Sequence, residues 1–177
     1  MACWLSEDED VRFKAGVALQ DVNSRRAYRL LLKIVDTHAD VWRREQACYL
    51  LSFARDVSLT GEFGRIFSDP GQPPAVRAQA AEGLAYVLGY SDRRTSIHRK
   101  AVEALLPGLQ DPAVEVRFWT CFALGNLRAR RTIANLQRLV DEDDEICPTW
   151  WHVRDEAADA ISQIRGEPVQ SRQRIPM

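Results

Sequence analysis

The chain has 177 residues, 46% of them apolar and 28% charged, the size and balance of one globular domain that buries a core without disulfides or a structural metal. No run approaches the roughly 18 consecutive apolar residues of a membrane-spanning helix, and the acidic residues 1–10 lack the basic and apolar regions of a signal peptide, so a cytoplasmic protein with no membrane partner is expected. The net charge of −1 gives no general attraction for nucleic acid, which leaves only a local basic surface to supply one.

After the acidic lead, VRFKAGVALQDV begins at Val11 and carries its apolar and small residues at helical spacing. Tyr28, Leu31, Leu32 and Val35 mark a shorter amphipathic helix. WRREQACYLLSF follows from Trp42, then a second short stretch with Leu59, Phe63, Ile66 and Phe67, then VRAQAAEGLAYV from Val76. Ala101, Leu105 and Leu109 mark a third short helix, which Pro107 should kink by removing a backbone donor. VRFWTCFALGNL from Val116, a stretch with Ile133, Leu136 and Val140, and VRDEAADAISQI from Val153 complete the series. The pairs Asp69-Pro70 and Asp111-Pro112 punctuate turns, because proline disfavours helix at the residue before it. The four cysteines, Cys3, Cys48, Cys121 and Cys147, have no ligand spacing and are expected as reduced thiols.

The five longer segments are copies of one pattern. Arg12, Arg43, Arg77, Arg117 and Arg154 occupy its second position at intervals of 31, 34, 40 and 37 residues, and each interval fits one helical hairpin. We call the short stretches A helices and the repeated segments B helices. A single hairpin cannot bury its apolar stripe, so neighbours must stack. The pattern resembles the HEAT-repeat family in its short bacterial form, V-R-x-x-A-A-x-A-L-G, most clearly at residues 116–127. The resemblance implies an all-α solenoid of about five hairpins over residues 11–166; residues 1–10 form an acidic lead, and the polar, proline-containing residues 167–177 are expected as a flexible tail. The resemblance also implies that the repeated arginine supports packing between repeats.

The third, fourth and seventh positions of each B helix remain once the core is subtracted, and they should line the concave face. In four repeats they read Phe13, Lys14, Val17; Arg44, Glu45, Cys48; Ala78, Gln79, Glu82; and Asp155, Glu156, Asp159. In the fourth repeat they are Phe118, Trp119 and Phe122, an aromatic group suited to anchor a protein partner beside the acidic trio of the fifth. The alternative is that the insertion 141–152, with Trp150 and Trp151, folds over these aromatics and makes them a local core. Phe13 and Val17 should lie near an uncovered end, which suits a docking surface, a homodimer through the N-terminal end, or continuation into a longer solenoid.

Charge is segregated between the two sets of turns. Acids gather before B helices, at Asp36, Asp40, Asp69, Asp111 and in the run 141–145, whereas Arg93, Arg94, Arg128, Arg130 and Arg131 follow B helices and predict a basic edge. Helix dipoles and caps explain part of this. The surplus suits phosphate or an acidic protein, and arginine outnumbers lysine 21 to 3.

No Gly-rich phosphate loop, GxSxG elbow or HExxH motif occurs, and His38, His98 and His152 are separate and not followed by Glu. No metal or cofactor is therefore expected, and the chain reads as non-catalytic. Asp155, Glu156 and Asp159 beside Trp119 are similar, in residue type alone, to the cleft of HEAT-like alkylpurine DNA glycosylases. The leading expectation is a protein-binding scaffold; the alternatives are nucleic-acid binding through the arginine edge or a HEAT-type bilin lyase subunit.

Overall fold

A computed structural model describes residues 8–22, 24–89 and 91–174, without the side chains of residues 9 and 19–22. Most of the acidic lead, Cys3 and the last three residues of the tail lie outside the described residues. Among those described there is no strand, only helices and one isolated bridge between Ile146 and His152. The chain is an all-α HEAT-like solenoid that divides by contacts into two units, Met1–Tyr90 and Ser91–Met177.

The first unit holds α1 (Glu9–Val22), α2 (Arg25–Thr37), α3 (Val41–Ser52), α4 (Thr60–Ser68) and α5 (Pro74–Leu88). The repeated segments are α1, α3 and α5; the short stretches are α2 and α4. Helix starts follow local chemistry. Ser24 accepts from the Ala27 amide and Asp40 from the Trp42 amide, while Pro74 opens α5, where its missing donor costs nothing. The apolar stripes of α2, α3, α4 and α5 meet in a core that includes Leu31, Val35, Leu50, Leu51, Phe63, Ile66 and Leu84. Gly83 of α5 packs against the ring of Phe63, so the small residue in mid-pattern sets how closely α4 and α5 approach. At the outer end of this unit Phe13 is 53% exposed and touches the ring of Phe53 edge-on at 5.9 Å.

The second unit holds α6 (Ser96–Leu105), α7 (Val114–Asn126), α8 (Ile133–Glu142) and α9 (Val153–Arg165). Pro107 ends α6 as an α-helix; the chain continues through residues 106–110 as a 3₁₀ turn, in which the proline costs one fewer bond. Helices α7 and α9 lie against each other so closely that a Cβ on Gly125 would stand 2.8 Å from the Cα of Ala160. The ends of α7 and α9 share one device. Both close with last-turn carbonyls accepting from a left-handed residue and from the one after it, Gly166 and Glu167 beyond α9, Arg128 (φ 53°) and Ala129 beyond α7. Cys48, Cys121 and Cys147 are buried free thiols.

Candidate functional site

The site lies in the second unit and begins with Arg117. Its guanidinium makes five hydrogen bonds: to Asp143 Oδ2 (2.6 Å) and Oδ1 (3.4 Å), to Glu145 Oε1 (2.8 Å), and to the carbonyls of Asp111 (2.8 Å) and Pro112 (3.2 Å). Such a fork saturates every donor of the planar cation. Its ion-pairing, led by the Asp143 hydrogen bond, raises the arginine pKa further. The repeated arginine of this copy thus clamps the inserted loop to the start of α7. The family resemblance implied a packing role between repeats; the acids of the loop make that role electrostatic.

Beyond the clamp the loop closes on itself. The Val153 amide donates to Glu145 O, the Cys147 amide to Trp151 O and the Trp150 amide to Cys147 O, forming a tight turn with Pro148 and Thr149 at its tip. Thr149 takes φ 67°, the positive value this turn needs. The turn delivers Trp150 and Trp151 onto α7. Ring centroids then lie 5.5 Å apart for Phe118 and Trp119, 6.0 Å for Phe118 and Trp150, 5.6 Å for Phe118 and Trp151, 5.2 Å for Trp119 and Phe122, and 5.2 Å for Trp119 and Trp150. Most cross at steep angles, the edge-to-face arrangement that aromatic quadrupoles favour.

This arrangement corrects the expectation of an open wall at three positions. Phe118 is 1% exposed and is the core of the cluster, covered by the insertion. Glu156 is buried, and its Oε2 accepts the Trp151 indole N–H at 3.0 Å. Asp159 is also buried. Trp119, Phe122, Trp150, Trp151 and Asp155 remain half-buried and form the accessible shelf. Burial, then the nearby Asp159, pushes the Glu156 carboxyl up to about 7; the Trp151 hydrogen bond and Arg172 act the other way. Burial raises the Cys121 thiol well above its usual range and the Cys147 thiol to about 12, so neither is a ready nucleophile.

Two tail arginines complete the site. Arg172 donates from Nε to Asp159 Oδ2 at 2.7 Å and from Nη2 to Asp159 Oδ1 at 3.0 Å, and Arg174 stands over the Trp150 ring with its guanidinium carbon 4.2 Å from the centroid. Nothing in the sequence marked Arg172 and Arg174 as partners of Asp159 and Trp150. The adjacent tryptophans in the insertion were the one legible signal.

At the predicted basic edge, Arg93, Arg94, Arg130 and Arg131 are exposed and Arg128 is half-buried. The charge there is partly consumed: Arg131 pairs with Glu103 at 3.2 Å and donates to the Arg99 carbonyl. His98 lies buried beneath. Burial lowers its pKa first, and Arg93 and Arg131 lower it further. Among the described residues no cluster of His, Cys, Asp or Glu is placed to hold a metal ion, and no helix is long and apolar enough to cross a membrane.

In the first unit the corresponding wall positions give a smaller cluster. Arg44 donates to the Val35 carbonyl at 2.8 Å and to the Gln72 amide oxygen, while buried Glu82 accepts from Gln79. Burial raises Glu82 to about 7, assisted by Glu45 and opposed by the hydrogen bonds from Gln79 and Tyr86.

A family model described as HEAT repeats matches residues 68–161, more than half of the chain. The chain belongs to the HEAT-repeat family. No curated protein matches it. A solved HEAT-like structure, the complex of CpcE and CpcF of phycocyanin lyase from Nostoc sp. PCC7120, is similar with a TM-score of 0.69 and 20% identity, covering 90% of this chain and 94% of the other. That finding overturns the expectation that the chain is not an enzyme: this HEAT-repeat architecture occurs in a lyase complex, so missing catalytic motifs decide nothing about catalysis. At this identity the likeness establishes the fold. It also concerns a complex of two proteins, in keeping with a protein partner, whereas neither nucleic-acid binding nor the N-terminal homodimer gains support from it.

Proposed function

We propose that this HEAT-repeat chain is a protein-binding subunit whose partner docks on the shelf of α7, α9 and the 143–152 loop. The observation that carries the reading is the shelf itself: Trp119, Phe122 and Trp150 are half-buried and held at 5.2 Å from ring to ring beside the acids of α9. Half-exposed aromatics fixed by their neighbours lose little entropy on binding, which makes them effective anchors. The Arg117 clamp supports the same reading, because it orders the loop before any partner arrives. A second reading, a subunit of a two-protein lyase, is favoured by the coverage of both chains in the structural likeness.

The test is capture of partners from native lysate with wild-type protein and Trp119→Ala, with helicity monitored by circular dichroism. Loss of the captured protein at unchanged helicity is expected. Undiminished capture removes Trp119 from the interface and with it this choice of face. A captured second HEAT-repeat protein would favour the lyase-subunit reading.

A further inference from the structure

The described part of the tail, residues 167–174, has no regular secondary structure, and residues 167–171 are exposed. It nonetheless returns along α9 after the left-handed Gly166 and seats two side chains. Arg172 engages Asp159 through the two-point fork, donates to the Asp155 carbonyl at 3.3 Å and pairs with Asp155 Oδ1 at 3.4 Å, leaving its side chain 18% exposed. The Asp159 side chain beneath is only 7% exposed. Two residues on, Arg174 stacks on Trp150, whose ring is held in turn by Phe118, Trp119 and Trp151. Where a segment is extended, alternate residues project to the same side, so an Arg-x-Arg spacing suits a peptide that reaches the acid and the indole together.

We infer that this acid-and-indole seat is a recognition site for an extended arginine-x-arginine peptide, and that residues 167–174 are its internal occupant, which such a segment of the partner displaces. The inference rests on the proposed docking face and specifies the chemistry of what docks there. Arginine suits the seat better than lysine, because the fork to Asp159 is bidentate and the guanidinium plane stacks on an indole. Simple departure of the tail would strip Asp159 of its two-point cation partner. Exchange of one arginine for another avoids that loss. The tail is tethered a few residues from its seat, so its high effective concentration sets the threshold that a partner must exceed.

The test uses the full-length chain and a fluorescently labelled peptide EPVQSRQR, the sequence of residues 167–174, read by fluorescence anisotropy. The variant with Arg172→Ala and Arg174→Ala together is expected to bind this peptide at least tenfold more tightly than wild type, whose own tail competes. A peptide with both arginines replaced by alanine should bind at least tenfold more weakly, and one with lysines should fall between. Equal binding of the arginine and alanine peptides to the variant overturns the seat; equal binding of the arginine peptide to variant and wild type overturns internal occupancy. If the alanine variant loses helicity, the variant with Arg172→Lys and Arg174→Lys decides, and must bind the arginine peptide more tightly than wild type. Since no partner is needed, peptide exchange with intact partner capture in Trp119→Ala would sink the docking face and spare the seat; the reverse pattern would do the opposite.

Discussion

The two units bury the same chemical group by different means. Glu82 on α5 and Glu156 on α9 are both enclosed carboxyls raised to about 7, and each adds to the rise that burial imposes on a thiol, Cys48 in one unit and Cys121 in the other. Around Glu82, close helix packing and the neutral donors Gln79 and Tyr86 are enough. Around Glu156, an inserted loop provides the indole donor and the tail brings a cation to the adjacent Asp159. Burial built from helices alone is local to the repeat. Burial built from a loop and a tail depends on contacts that can be exchanged, which is the property a docking face requires.

The largest test of this contrast is Arg117→Ala, which leaves Asp143 and Glu145 without their clamp. Removing one partner of a largely buried pair costs about 3 to 4 kcal/mol, and denaturant unfolding should show a loss of this order together with faster proteolysis within 143–152. A smaller loss without loop cleavage would mean that the aromatics hold the loop without the clamp.

The buried carboxyls come next. Each has a folded pKa above its unfolded value, so the fold is favoured while they are protonated and loses stability as pH rises from about 4.5 to about 7, with no further loss above. Glu82→Gln and Glu156→Gln keep the shape and remove the charge. Each should leave stability near that of wild type at pH 5 and raise it by about 2 to 3 kcal/mol at pH 8; urea midpoints at the two pH values check this. A gain for Glu82→Gln alone would sharpen the contrast, since it would mean that Arg172 already compensates Glu156.

Glycine substitutions separate the units on a smaller scale. Alanine gains about 1 kcal/mol over glycine in a helix, but Gly125→Ala would press on the backbone of Ala160 and Gly83→Ala would drive a methyl, closer still, into the fully buried Phe63 ring, so each should cost about 2 kcal/mol net and Gly83→Ala the more. Thermal midpoints rank the two. The smallest effect expected is a gain of about 1 kcal/mol from Arg128→Gly, which relieves a non-glycine residue held at φ 53°; an unchanged melting temperature would show that the arginine's own contacts repay the strain.

The helices were legible because each carries its own period: five copies of one apolar pattern place α1, α3, α5, α7 and α9, and the short amphipathic stretches place the helices between them. Pro107 was legible as an interruption, and its outcome, a 3₁₀ continuation, follows from the same missing donor. The site was legible only in part. Phe118, Trp119 and Phe122 stand out from the other repeats, but whether they are wall or core depends on Trp150 and Trp151, some 30 residues away in an insertion with no period to place it. Glu156 and Asp159 sit at outward positions of the repeat and are buried by a loop and a tail, contacts that no pattern within α9 encodes.

Trp119, Trp150 and Trp151 form a chain of neighbouring indoles at 5.2 and 5.4 Å, crossed at 82° and 80°. Chromophores so close and so steeply inclined couple their excited states, and the sign and size of the resulting near-ultraviolet dichroic bands depend on the angles between them. The molecule therefore carries an optical signature of its own loop, one that changes whenever the ring over which Arg174 stands is turned.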